Sequence, residues 1–284
     1  MHGLTILIAL VAALAFVPLA AGLWLLPQAP GREPMQWRGF GASALLCALA
    51  FNLTFFVQEV GLVLPKALVP GLHPVLYHND HDWRGDVPIA ELLQATGAVA
   101  TLASGLFFLW LARRIGPDRP GWRLFAFWMA FEGLFQSLSQ WAVGSLIPGN
   151  DVGRALAWLG AGTGVRAALL AGTAFALFAA GRALAPLWPL RRGAASRATV
   201  LPVAAALAVA VLLCIPFRAP REPVEVVLIP IVVHLIGLGW LALGFAMRRA
   251  GAEGHALAPP GPPLAALALL LAFFQIVLRP GIAF

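Results

Sequence analysis

Residues 39–86 read GFGASALLCALAFNLTFFVQEVGLVLPKALVPGLHPVLYHNDHDWRGD. The first part, 39–64, is an almost unbroken apolar run, longer than the roughly 20 residues a helix needs to cross a hydrocarbon layer about 30 Å thick. The remainder is polar and holds His73, His78 and His81, three of the six histidines in the chain, beside its one tyrosine, Tyr77. A membrane-crossing helix therefore runs straight into a histidine-bearing loop.

The same alternation of apolar run and short polar loop fills the chain. Of its 284 residues 61% are hydrophobic and 11% charged, against roughly 25% charged in a soluble domain. Apolar runs at 3–26, 39–64, 89–112, 123–147, 155–181, 198–217, 226–247 and 264–278 predict an all-α polytopic transmembrane helical bundle of about eight spans, six at the fewest. Alternating strands of barrel type are absent, and only helices or closed barrels satisfy a backbone in lipid. No loop is long enough for a soluble domain, so residues 1–284 are expected to form a single integral membrane domain. The run at 3–26 is too long for the core of a signal peptide and is read as a retained helix.

A net charge of +7 on a soluble protein would suggest nucleic acid. Here the arginines sit in short loops between spans, which marks them as orientation signals, and the implied partners are the lipid bilayer and other membrane proteins. Of the 19 Lys and Arg residues, Arg166 lies inside a span, and the others divide twelve to six between alternate sides. The positive-inside rule then places the chain in the cell membrane with the histidine loop non-cytoplasmic. Trp24, Trp37, Trp110, Trp122, Trp141, Trp158 and Trp188 lie near span ends, where indoles anchor in the interface. Cys47 and Cys214 both fall within apolar runs, without a CxxC pattern. No GxxxxGK[ST] motif or strand-linked GxGxxG supports nucleotide binding. Gly160 and Gly164 form a GxxxG, expected to allow close helix packing within the bundle.

Ionisable groups inside spans are costly, and they usually face the bundle interior or a wet cavity. Glu59, Glu132, Arg166 and His234 are the ones this chain carries. Asn52 precedes Glu59 by two helical turns, and Glu132, Gln136 and Gln140 repeat at spacing four along one face of the fourth span. A polar intramembrane cavity between the second and fourth spans is therefore expected, walled by Asn52, Gln58, Glu59, Glu132, Gln136, Gln140 and Arg166. Arg166 would pair with Glu132 or Glu59, and His234 would be a hydrogen-bonded core histidine. Buried pairs that only fix helix packing are the alternative. A small transporter or ion-handling protein would line a water path with Glu59, Glu132 and Arg166, although the two halves show no inverted repeat.

The loop itself offers His78 and His81 with Asp80, Asp82 and Asp86, a donor set suited to zinc. Gly71, Pro74 and Gly85 argue that it is a loop, so the alternative is a solvated cap.

Residues 45–160 carry a resemblance to a known family. QEVGL, 58–62, resembles the HExxH of the site-2 proteases, intramembrane zinc metalloproteases, in its place within a span. IPGNDVGRAL, 147–156, lies one span later and is similar to their second motif, PPLDGGR. The resemblance implies a protease-like core in which Glu59 matches the catalytic glutamate and Asp151 the aspartate ligand. The two zinc-binding histidines correspond to Gln58 and Leu62, and leucine cannot bind zinc. The family also turns this face to the cytoplasm, opposite to the charge count. The resemblance thus implies a non-catalytic bundle that binds a membrane partner or lipid in the old cleft. A third reading is a rebuilt zinc site of His78, His81 and Asp151, with Asp80 nearby and Glu59 as base.

Overall fold

Inside hydrocarbon the backbone has no partner but itself, and the chain accordingly folds as a bundle of transmembrane helices. The computed structural model describes residues 2–28, 37–188, 195–218, 223–247 and 259–284. Arg32, Arg191, Arg192, Arg221, Arg248 and Arg249, counted above, lie outside these residues, as do the side chains of His2, Trp37 and Arg38. The membrane helices are α1 (His2–Leu25), α2 (Trp37–Ala67), α4 (Thr96–Arg114) led by the short α3 (Ile89–Leu93), α5 (Pro120–Leu146), α7 (Thr163–Leu184), α8 (Arg197–Cys214), α9 (Ile229–Ala246) and α10 (Gly261–Phe273). A short α6 (Asp151–Trp158) lies between α5 and α7. Single π turns open α9 at Val224–Leu228 and close α10 at Phe274–Leu278.

Seven of these segments are long and apolar enough to cross a membrane. The expected fourth span, now α5, is less apolar because it carries Glu132, Gln136, Ser137, Ser139 and Gln140. Its 27 residues are long enough to cross, and strand pairing gives an independent reason to count it as a crossing. The histidine stretch forms an antiparallel hairpin of β1 (His73–Leu76) and β2 (His81–Arg84), and β1 also pairs with β3 (Ile282–Ala283) after α10. The hairpin and β3 are therefore on one side of the membrane, so the number of crossings between them is even. The segments α4, α7, α8, α9 and α10 give five; α5 supplies the sixth.

The polarity of α5 is tolerated because it does not meet lipid. Residues 126–139 are buried throughout, packed against α2, α4, α7 and α9. Where α4 and α5 cross, Gly105 and Gly133 face each other: a methyl group on Gly105 would come within 2.6 Å of the Leu134 nitrogen, and one on Gly133 within 2.7 Å of the Gly105 backbone. On either side of the crossing along α5, Phe127, Trp128, Phe131 and Phe135 form an aromatic core.

Four expectations are corrected. The run at 155–181 is not one helix, because Gly160 takes φ +67° and breaks it between α6 and α7. Gly160 and Gly164 have nothing within 4 Å of a Cβ position, so their GxxxG packs no helix. The histidine stretch is a strand hairpin rather than a loop: Gly71 (φ +89°) and Gly85 (φ +109°) supply the left-handed turns at its base, and β3 completes a sheet of order β2–β1–β3. Trp188 is also not an anchor; it is buried with its ring 5.0 Å from Phe127 and 5.7 Å from Trp128. Trp24, Trp110, Trp122 and Trp158 are exposed, as lipid-interface residues should be.

Substituting Gly133→Val should force α4 and α5 apart and destabilise the detergent-solubilised protein by about 2 kcal/mol, within the range for overpacking a tight core. Gly164→Ala should be neutral or slightly stabilising, since Ala is the better helix former. Thermal unfolding followed by circular dichroism compares the two; equal midpoints would refute the close crossing.

Candidate functional site

A cavity of about 220 Å³ opens beneath the hairpin. Phe55, Gln58, Glu59 and Leu62 of α2 form one wall, and Gln136 and Gln140 of α5 the next. Asn79, Asp80 and His81 of the hairpin roof it, Asn150 and Asp151 enter from the start of α6, and Arg218, Glu225, Ile229 and Val233 close the far side. The helical spacing of Gln136 and Gln140 puts both amides on the face of α5 turned toward α2. Asn150 caps α6, its side chain accepting from the Val152 N–H at 3.1 Å, and this fixes Asp151 at the helix start.

Glu59 and His81 are the centre of the site. Glu59 is 3% exposed, and its Oε2 lies 2.9 Å from His81 Nδ1. On the other side of the ring, His81 Nε2 lies 3.2 Å from Gln94 Oε1, an oxygen that also accepts from the Lys66 ammonium at 3.3 Å. A carbonyl oxygen can only accept, so Nε2 carries a hydrogen. The Nδ1–Oε2 contact must then hold a second proton, either as imidazolium with carboxylate or as neutral imidazole with carboxylic acid. The pair acts as one proton-holding unit.

Around it, Gln58 Oε1 accepts from Gln136 Nε2 at 2.5 Å and from Gln140 Nε2 at 2.6 Å. Gln136 Oε1 and Gln140 Oε1 are buried without a hydrogen-bond partner among the described residues. At Asp151, burial lifts the carboxyl above the ordinary range of an aspartate, against the opposing pull of His81, Lys66 and Arg154. Arg154 itself holds Glu91 through two 2.6 Å bonds, which clamp α6 to α3 at the rim.

No protein-family model, curated protein or solved structure matches the chain.

Of the residues expected to wall the cavity, Gln58, Glu59, Gln136 and Gln140 do so and three lie elsewhere. Asn52, two turns from Glu59, donates to Ala48 O and Cys214 Sγ, both at 2.8 Å. Glu132 faces α9, where both its oxygens lie 3.1 Å from His234 Nε2, and Cys47 Sγ approaches Oε1 at 3.7 Å. Arg166 pairs with neither glutamate. It donates to the carbonyls of Ala161 and Gly144 at 3.1 Å and of Gly153 at 3.3 Å, because the end of α5 and the α6–α7 break leave backbone acceptors that a guanidinium can satisfy nearby.

Zinc does not fit the donors as they stand. Among the described residues no three His, Cys, Asp or Glu side chains are grouped to hold one metal ion. His81 is engaged by Glu59 and Gln94. His78 is 2% exposed and stacks on Phe274 at a ring distance of 5.3 Å. Burial, with Arg218 and Arg279 adding to it, pushes His78 down to about 4, while the Phe217 backbone opposes only part of this.

Sequence reading did not single out Arg218 and Glu225. Arg218 follows an apolar run directly and has the pattern of an interfacial charge; only packing shows it turned inward.

Two predictions concern the histidines. The folded His78 titrates near 4 against an ordinary 6.5, so between these values the unfolded chain binds the extra proton and stability falls as pH drops. His78→Phe keeps a ring against Phe274 and should remove that acid loss while leaving pH 7.5 stability within about 1 kcal/mol; unfolding midpoints at pH 7.5 and 5 decide it. At the second pair, Glu132→Leu alone should destabilise by about 3 kcal/mol, and adding His234→Phe should recover most of the loss. A double variant no better than the single would mean the pair does not act as a unit.

Proposed function

We propose that this chain is a membrane-embedded binding protein that takes the polar part of a lipid or membrane partner into the cavity beneath the hairpin, on a site-2-protease-like frame without catalysis. The observation that carries the reading is the cavity itself. It sits at the hairpin end of the helical bundle, and two buried amide oxygens on its wall lack partners among the described residues. Buried polar atoms are normally paired, so open acceptors in a polar cavity favour an occupant. Glu59 and Asp151, the two residues that the family likeness maps onto a catalytic glutamate and an aspartate ligand, line this one cavity. In place of zinc-binding histidines stand Gln58, whose oxygen is committed to Gln136 and Gln140, and Leu62, so hydrolysis is not part of the proposal. The reading includes the cell membrane and a non-cytoplasmic hairpin, on the strength of the loop charges.

A second reading, proton or ion handling, is favoured by one observation: buried glutamates meet histidines twice, Glu132 with His234 inside the bundle and Glu59 with the half-buried His81 of the hairpin. Buried carboxylate–imidazole pairs are typical parts of proton paths.

Native mass spectrometry of protein extracted from its membrane tests the first reading. The wild type should carry a non-covalent adduct, and Gln136→Leu, which removes the open acceptor, should lose most of it. An adduct-free wild type that takes up no lipid on titration would sink the proposal, and proton flux in proteoliposomes abolished by Glu59→Gln would favour the second reading.

A further inference from the structure

Arg218 follows the turn Ile215–Phe217 at the end of α8 and lines the cavity at 3% exposure. Its guanidinium lies over the rings of Phe55 at 4.0 Å and Phe51 at 4.6 Å. Nη1 donates to the Glu225 carbonyl at 3.5 Å. Nε and Nη2 have no hydrogen-bond partner among the described residues. Burial lowers Arg218 to about 10, which leaves it charged at neutral pH. A buried guanidinium with two open donors on a cavity wall is the complement of an anionic oxygen, which Arg binds through paired N–H groups.

Other walls have the opposite need. Gln136 Oε1, on a residue 2% exposed, lacks a donor among the described residues, and the carboxyl groups of Glu59, Asp80, Asp151 and Glu225 line the cavity with it. One part of the cavity thus calls for an acceptor and another for a donor, preferably a cationic one. The apolar flank of Phe55, Leu62, Ile229 and Val233 can continue along a hydrocarbon chain. A volume of about 220 Å³ leaves room for a small head group.

We propose that the cavity selects a zwitterion, holding its anionic oxygen on Arg218 and its ammonium group against Asp151 and the open Gln136 oxygen. This rests on the binding reading above and names its ligand class. The zwitterion can be the phosphoethanolamine head of a lipid or a free small molecule of the same chemistry.

Full-length protein in detergent is titrated with phosphatidylethanolamine, phosphatidylglycerol and free phosphoethanolamine, and occupancy is read by native mass spectrometry and calorimetry. The expected result is a preference of at least tenfold for phosphatidylethanolamine over phosphatidylglycerol. Arg218→Gln should weaken phosphatidylethanolamine at least tenfold, and Asp151→Asn should erase the preference by weakening phosphatidylethanolamine alone. Arg218→Lys, which keeps the charge, guards against misfolding and should bind more weakly than wild type but more tightly than Arg218→Gln; exposed Arg279→Gln should bind as wild type does. Binding of free phosphoethanolamine as tight as that of the lipid assigns the soluble source, and tighter lipid binding assigns the membrane source.

Unchanged binding in both Arg218 variants, with the Gln136→Leu loss intact, overturns the role of Arg218 and leaves the binding reading standing. Equal affinity for the two lipids overturns the zwitterion. A wild type that carries no adduct and binds none of the probes overturns both.

Discussion

Hydrocarbon offers no hydrogen bonds, and this fold is arranged around a helix that could not survive contact with it. The α5 face bearing Glu132, Gln136 and Gln140 would be prohibitively costly toward lipid. Enclosed by α2, α4, α7 and α9, the same groups find protein partners: His234 for the glutamate, Gln58 for both glutamines. The more apolar helices form the shell that makes one polar helix possible. Close crossing of α4 and α5 at Gly105 and Gly133 draws part of that shell tight.

The membrane class and span positions were legible because length and hydropathy nearly decide them in lipid. Details that depend on a single dihedral were not. A run such as 155–181 has helical composition throughout, and its break rests on Gly160 adopting positive φ, which nothing in its apolar surroundings marks. The hairpin was hidden for a different reason. Each of its strands is four residues long, and β3 lies some two hundred residues away, beyond any local pattern.

The site was half legible. Helical spacing places Gln136 and Gln140 together, and Glu59 and Asp151, far apart in the chain, line the same cavity. Partner choice was not readable. Arg166 could reach a carboxylate by position on a helical wheel, yet backbone carbonyls exposed at helix ends lie closer, and such acceptors have no sequence signature. Arg218 was hidden by its place at a span boundary, where arginines ordinarily reach outward to head groups. Here the side chain turns inward, and its guanidinium lies over the rings of Phe51 and Phe55.

The pairing of β1 with β3 joins the two halves of the chain over one pocket. Both helical walls contributed by α2 and α5 are made in the first half of the chain, and the roof over them is drafted there too, as β1 and β2. Its free edge is closed only by Ile282 and Ala283, which arrive after α10 has crossed. The pocket therefore depends on both halves of the chain at once: α2, α5 and the hairpin come from the first, and Arg218, Glu225, Ile229, Val233 and the strand that closes the sheet edge come from the second.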